Sequence, residues 1–115
     1  MNWKENFEEG QELVLATCSS QGKPNANVVI SLGFLEGKLL IADCQMRTTI
    51  SNMQENNKIA VIGKYCRILG TVEIFTSGQY FDKCVEKSKE YKVKNAIVID
   101  IKEVFDLDKI EKIIQ

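Results

Sequence analysis

The chain contains no histidine, which removes the commonest general base near neutral pH and any Ser-His or Cys-His nucleophile pair. Its four cysteines, Cys18, Cys44, Cys66 and Cys84, lie 26, 22 and 18 residues apart. They form no C-x-x-C pair, so a structural zinc site lacks both its ligand spacing and its histidine, and no metal is expected. Excess charge is also missing. Fifteen basic and 16 acidic residues leave a net charge of -1, which offers no electrostatic footprint for nucleic acid or an anionic membrane. No apolar run approaches the roughly 18 residues of a membrane span, and the first residues lack a basic stretch leading into an apolar one. A cytoplasmic protein with reduced thiols is the expectation. No G-x-G-x-x-G turn joins a strand to a helix, and strands do not alternate with helices, which argues against a doubly wound dinucleotide fold. Any redox or group-transfer chemistry should therefore be carried by something bound.

What is present is an ordinary globular composition, 44% apolar and 27% charged with one proline, in 115 residues. That length predicts a single domain over 1–115, near the size at which chains gain from pairing. Asn2 with Glu5 three residues on reads as a helix start closed by Gly10, with Trp3 and Phe7 on one face. Glu12 to Cys18 reads as a strand, and the polar run Ser19 to Pro24 as a turn. From Asn25 to Leu32 the residues alternate. Ala26, Val28, Ile30 and Leu32 share the row expected to face the core; Asn25, Asn27, Val29 and Ser31 share the other. That half-polar row suits either water or a ligand pocket needing a few hydrogen-bonding groups. Glu36-Gly37 reads as a hairpin turn leading to a strand over Lys38 to Asp43, so the first three strands are expected to form an antiparallel meander.

Further strands are predicted over Lys58 to Tyr65, Arg67 to Thr76 and Asn95 to Lys102. Gly70 falls on the inward row of the second of these, where a missing side chain suggests a bulge, a bend or a close approach. A helix opening at Ser77-Gly78 would place Tyr80, Phe81, Cys84, Val85, Ser88 and Tyr91 on one side. Asp106 to Ile114 reads as a closing helix. Six strands with short helices predict a mainly β fold, an antiparallel barrel whose closure removes free edges.

The stretch Asp43 to Asn52 is where an apolar strand hands over to a polar helix. Thr48 or Thr49 can cap that helix, which Ile50 and Met53 carry and Asn56-Asn57 end. Two readings stand side by side: the threonines only cap and Arg47 is solvated, or the helix start, the hydroxyls and the guanidinium grip a phosphate. Cys44 beside it is read as a small buried apolar residue or as a redox thiol.

Three segments resemble the FMN-binding split-barrel family, which includes pyridoxamine 5'-phosphate oxidase and small bacterial FMN-binding proteins. They are Leu15 to Cys18 with Gly22-Lys23-Pro24 and the strand to Leu32; Met46 to Met53 with Glu55 to Val61; and Ala96 to Ile101 with Val104 to Leu107. The resemblance implies a six-stranded antiparallel split β-barrel of Greek-key type, and a homodimer whose second copy covers apolar faces that one small barrel cannot hide. It implies FMN as cofactor, with Arg47, Thr48 and Thr49 on the phosphate. The flavin ring would lie against Val28, Val29 and Ile30 and against the end of the third strand at Asp43, Cys44 and Gln45. In the family a Lys usually stands where this chain has Thr49, and the Arg-rich end of the true oxidases is replaced here by Lys109 to Gln115. The implied function is a small redox or electron-transfer flavoprotein, or a flavin-dependent oxidoreductase on a small acceptor. The alternatives are a non-catalytic binding or assembly barrel, or a user of the deazaflavin F420.

Overall fold

The computed structural model describes residues 2–114; Met1 and Gln115, the two ends of the expected 1–115 domain, lie outside the described residues. A 3-10 helix at Trp3–Phe7 opens the chain, capped by Asn2, whose side chain accepts from the Lys4 amide. Strands β1 (Glu12–Cys18), β2 (Pro24–Ile30), β3 (Phe34–Leu35) and β4 (Lys38–Asp43) precede helix α1 (Thr48–Glu55). Then come β5 (Lys58–Gly63), β6 (Cys66–Phe75), helix α2 (Gln79–Lys87), β7 (Asn95–Asp106) and β8 (Glu111–Ile114). The six expected strands are all present, and two short ones, β3 and β8, join them in one antiparallel sheet of order β2-β1-β5-β6-β7-β4-β3, with β8 on β7. Among the described residues, no helix is long and apolar enough to cross a membrane.

The first three strands do not form the expected meander. β2 pairs with β1 alone, in register from Glu12↔Ile30 to Cys18↔Pro24, while β4 pairs with β7 at the far end of the sheet. The chain between them changes partner. The Ser31 amide still donates to Gln11 of the β1 side, whereas the Leu32 amide donates to the Leu40 carbonyl and the Leu40 amide to Gly33, each at 2.9 Å. Ser31 is fully buried and pins the bend: its hydroxyl donates to the Phe7 carbonyl at 2.6 Å and accepts from the Gly33 amide at 2.9 Å. Gly33 supplies the left-handed backbone, φ +86°, that the bend requires. The sheet therefore curls shut at Leu32–Gly33 and stays split below, between β2 and the lower half of β4. The Glu36-Gly37 turn is present, at φ 53° and 78°, but it joins β3 to β4 rather than β2 to β4.

Inside the curl lie Leu13, Leu15, Leu39, Ile41, Val61, Ile68, Ile97 and Ile99, each buried to within 1%. Each contributes about 1.5–3 kcal/mol by leaving water. β7 is buried on both faces: Ile97 and Ile99 look inward, while Ala96 and Val98 pack under α2 with Leu40 and Cys84. That is why its sequence is an unbroken apolar run rather than an alternation. The β6–β7 register shifts between Leu69 and Gly70, which pair with Glu103 and Ile101, so the extra residue is Lys102 of β7 and the glycine stands opposite the irregularity. A Cβ on Gly70 would stand 2.2 Å from the Asp100 carbonyl oxygen.

Three further expectations are corrected. On β2 the rows are reversed: Val28 and Ile30 are 65% and 50% exposed, while Val29 and Ser31 are buried and Asn25 and Asn27 half-buried. The half-polar row found inward partners for its polar groups, so the apolar row was left outside. The second helix stops at Lys87, well short of Tyr91, because Val93 is drawn into the core and the Lys94 amide bonds the Asp43 carbonyl. The closing helix is absent. β7 runs on to Asp106, whose carboxylate accepts from the amides of Asp108 and Lys109, turning the chain back into β8. The aspartate expected to begin the closing helix makes a turn instead.

Two measurements follow from this packing. Gly70→Ala is expected to lose about 2–4 kcal/mol in urea unfolding, since the clash is with main chain rather than a movable side chain. Burial above all, with the neighbouring Cys44, pushes the Cys84 thiol up from 9.0 to about 11. The folded state thus favours the protonated thiol, and its stability is whole below pH 9.0 and falls as pH rises through about 11. Melting temperature should drop across that window, and Cys84→Ala should make the alkaline decline shallower; an unchanged slope would refute the assignment.

Candidate functional site

The split between β2 and β4 opens onto a cavity of about 690 Å³. One wall is β2 at Asn27, Val28, Val29 and Ile30, and the floor continues through Leu32 and Ala42. The β4–α1 loop adds Cys44, Gln45 and Met46, and Lys87 at the end of α2 with the following residues to Tyr91 makes the opposite rim. Apolar strand residues thus face a polar loop across a gap sized for a small molecule or cofactor.

The loop is shaped by Asp43, which is 1% exposed. One carboxylate oxygen accepts from the Met46 amide at 2.7 Å and the other from the Asn95 side-chain amide at 2.6 Å. Both oxygens are spent on holding the turn, so Asp43 lies beneath the cavity rather than in its lining. The next residues lead into α1, and here the expected caps are corrected. The N-cap position is Arg47, without a side-chain cap bond, and Thr48 and Thr49 are the first two helical residues. The first intrahelical bond runs from the Ser51 amide to the Arg47 carbonyl, 2.9 Å, so the amides of Thr48, Thr49 and Ile50 precede the ladder.

Thr49 is 2% exposed and turned inward. Its hydroxyl donates to the Asn27 side-chain oxygen and accepts from the Asn25 side-chain amide at 3.1 Å, and that same amide also donates to the Asn27 side-chain oxygen at 2.7 Å. Asn52, one turn on, donates to the Thr17 hydroxyl at 3.1 Å. These bonds stitch α1 to β1 and β2 and explain why the polar row of β2 is the inner one. Arg47 and Thr48 remain exposed at the helix start.

Of the nine residues singled out from sequence, Val28, Val29, Ile30, Cys44 and Gln45 are brought together in the cavity lining. Arg47 and Thr48 follow Met46, the last lining residue of the loop, and lie outside the lining; Asp43 supports the loop, and Thr49 faces β2. Burial first, and then the Asp43 carboxylate, push the Cys44 thiol up, which keeps it protonated at neutral pH and favours packing over nucleophilic chemistry. Two parts of the lining escaped the sequence reading. Asn27 was legible only as one member of a half-polar row. On the Lys87–Tyr91 rim, Ser88 and Tyr91 read as part of the packed stripe of a longer helix, and nothing local distinguishes charged residues such as Lys87 and Lys89 that edge a cavity.

Comparison with known proteins gives a consistent set. A family model described as pyridoxamine 5'-phosphate oxidase matches residues 2–108. The uncharacterized protein MJ0282 of Methanocaldococcus jannaschii is 32% identical over 111 residues, covering 86% of this chain and 74% of that protein. The crystal structure of HupZ from Group A Streptococcus aligns with a TM-score of 0.83 at 21% identity, covering 96% of this chain and 94% of its own. An FMN-binding protein from Syntrophomonas wolfei aligns at 0.73 with 17% identity, covering 89% and 86% respectively.

The inward and outward threonines should separate in stability. Thr49→Val leaves two asparagines short of a partner in a half-buried site and is expected to cost about 1–3 kcal/mol. Thr48→Ala and Arg47→Ala, both on exposed side chains, should change unfolding by less than about 0.5 kcal/mol. Equal losses for Thr48 and Thr49 in chemical denaturation would contradict this division.

Proposed function

Because the chain belongs to the pyridoxamine 5'-phosphate oxidase family, we propose that it is a flavoprotein that holds FMN in the split of its barrel and passes electrons to a small acceptor. The observation that carries this reading is the cavity itself, about 690 Å³ between the apolar residues of β2 and the loop that leads into α1. Its residues fit the two ends of FMN. A flat ring system suits the wall of Val28, Val29 and Ile30. A phosphate suits the loop end, where the amides of Thr48, Thr49 and Ile50 precede the helical ladder. The Arg47 guanidinium adds a full charge and a planar fork of donors there, and the Thr48 hydroxyl adds one more. Bound FMN supplies hydride or single-electron chemistry, and the chain positions and shields it.

Asn27 joins the set. Its side-chain oxygen is taken up by Asn25 and Thr49, which leaves the N–H pair to donate to an acceptor on the ring. Thr49 accordingly acts on the cofactor through Asn27, as a positioning residue.

A homodimer belongs to the same proposal. On the outer face, Val28 of β2, Val14 of β1 and Ile62 of β5 lie opposite one another, 65%, 37% and 37% exposed. Ala26, Ala16 and Ala60 form the next row. A flat apolar strip of this kind is suited to a second copy, and Val28 belongs both to the strip and to the cavity lining. The partner would therefore wall the flavin site.

Purified protein should show flavin absorbance, and a mass spectrum of the released ligand should identify FMN rather than F420. The Arg47→Ala, Thr48→Ala double variant should bind FMN about 10–100-fold more weakly, through loss of charge-assisted bonds, with an unchanged melting temperature in the flavin-free state. Val28→Asp should shift the sedimenting species from dimer to monomer and weaken flavin retention. A colourless protein that also refuses added FMN would leave the non-catalytic barrel as the better account.

A further inference from the structure

The rim that follows α2 is built differently from the other walls of the cavity. It is fixed at two roots. At one, Lys87, the last residue of α2, is ion-paired with Glu9 of the opening segment. At the other, Val93 is buried and the Lys94 amide donates to the Asp43 carbonyl at 2.8 Å. Between the roots, residues 88–92 carry a turn at Lys89-Glu90, and Lys89, Glu90, Tyr91 and Lys92 are all exposed. Tyr91 lines the cavity yet leaves 68% of its surface to solvent.

An aromatic side chain held at the lip of a cavity, across from apolar strand residues, gains most when a flat ligand lies between them. We propose that residues 88–92 form a flap that closes over a bound ring system, with Tyr91 as the side chain that covers it. This rests on the flavin reading above. The two roots make closure cheap in chain entropy, because only five residues need to be ordered between fixed ends. They also tie the flap to the opposite end of the site. Asp43 accepts the Lys94 amide with its main-chain carbonyl and the Met46 amide with its carboxylate, so one buried residue supports both the flap and the loop before α1. A ligand that orders that loop therefore steadies the flap's root.

The test is limited trypsin digestion of flavin-stripped and FMN-loaded protein, read by mass spectrometry. The stripped protein should be cut early after Lys89 and Lys92, and FMN should slow these two cuts by about tenfold or more, as expected for a segment whose opening is suppressed. Cleavage after Lys109, exposed in the β7–β8 turn, should be unaffected. Tyr91→Ala should weaken FMN binding by about tenfold and abolish the protection, whereas Tyr91→Phe should keep both, since the ring and not the hydroxyl does the covering. Bound FMN with unchanged cutting, or Tyr91→Ala with unchanged affinity, would overturn the flap and leave the flavin assignment standing. Resistance at Lys89 and Lys92 in the stripped protein would overturn it as well. Failure to bind FMN at all would remove both.

Discussion

The site exists because one strand changes partners halfway along. β2 runs beside β1 as far as Ser31, and from Leu32 the same extended chain runs beside β4. A chain that continued along β1 would leave the sheet open, and one that paired with β4 throughout would close it completely. The buried Ser31 hydroxyl makes the switch affordable by satisfying the Phe7 carbonyl and the Gly33 amide at the point where the ladder breaks. The gap below the switch is the cavity, so the fold and the site share one cause.

A second consequence concerns which side of β2 is inside. Placing asparagines inward is costly unless their polar groups are paired. Here Asn25, Asn27 and Thr49 pair with one another, and Asn52 pairs with Thr17, so the helix that begins at the cavity is held to the barrel by hydrogen bonds as well as by Met53 in the core. The same arrangement turns Val28 outward beside Val14 and Ile62. Polar pairing inside and apolar exposure outside are two sides of a single alternation. They give the cavity a hydrogen-bonding group in Asn27 and the outer face a surface suited to a like copy.

Asp43 illustrates how few residues hold the site's parts together. Its side chain shapes the loop before α1, its carbonyl anchors the return from α2, and Asn95 at the start of β7 braces it. The wall on β2 is held by its ladder with β1, while the opposite rim depends on these few bonds.

Much of this was legible in the amino-acid order. The six longer strands, the close approach at Gly70, the Glu36-Gly37 turn, the strand-to-helix junction at Asp43 to Asn52 and the family likeness all depend on neighbours a few residues apart or on motif spacing. Five of the nine residues that the family resemblance implied for the cofactor line the cavity. Tertiary structure alone decided the rest. Alternation divides β2 into two rows but does not say which is inside, because that depends on Thr49, more than twenty residues away. Asp106 carries the same side chain in a helix cap and in a turn, and only the free edge of β7 makes the return as β8 worthwhile. The Lys87–Tyr91 rim is polar wherever it lies, and it edges a cavity only because Asp43 and Glu9, distant in sequence, hold its ends. Short-range spacing sets what each segment becomes; contacts between distant segments set what it faces.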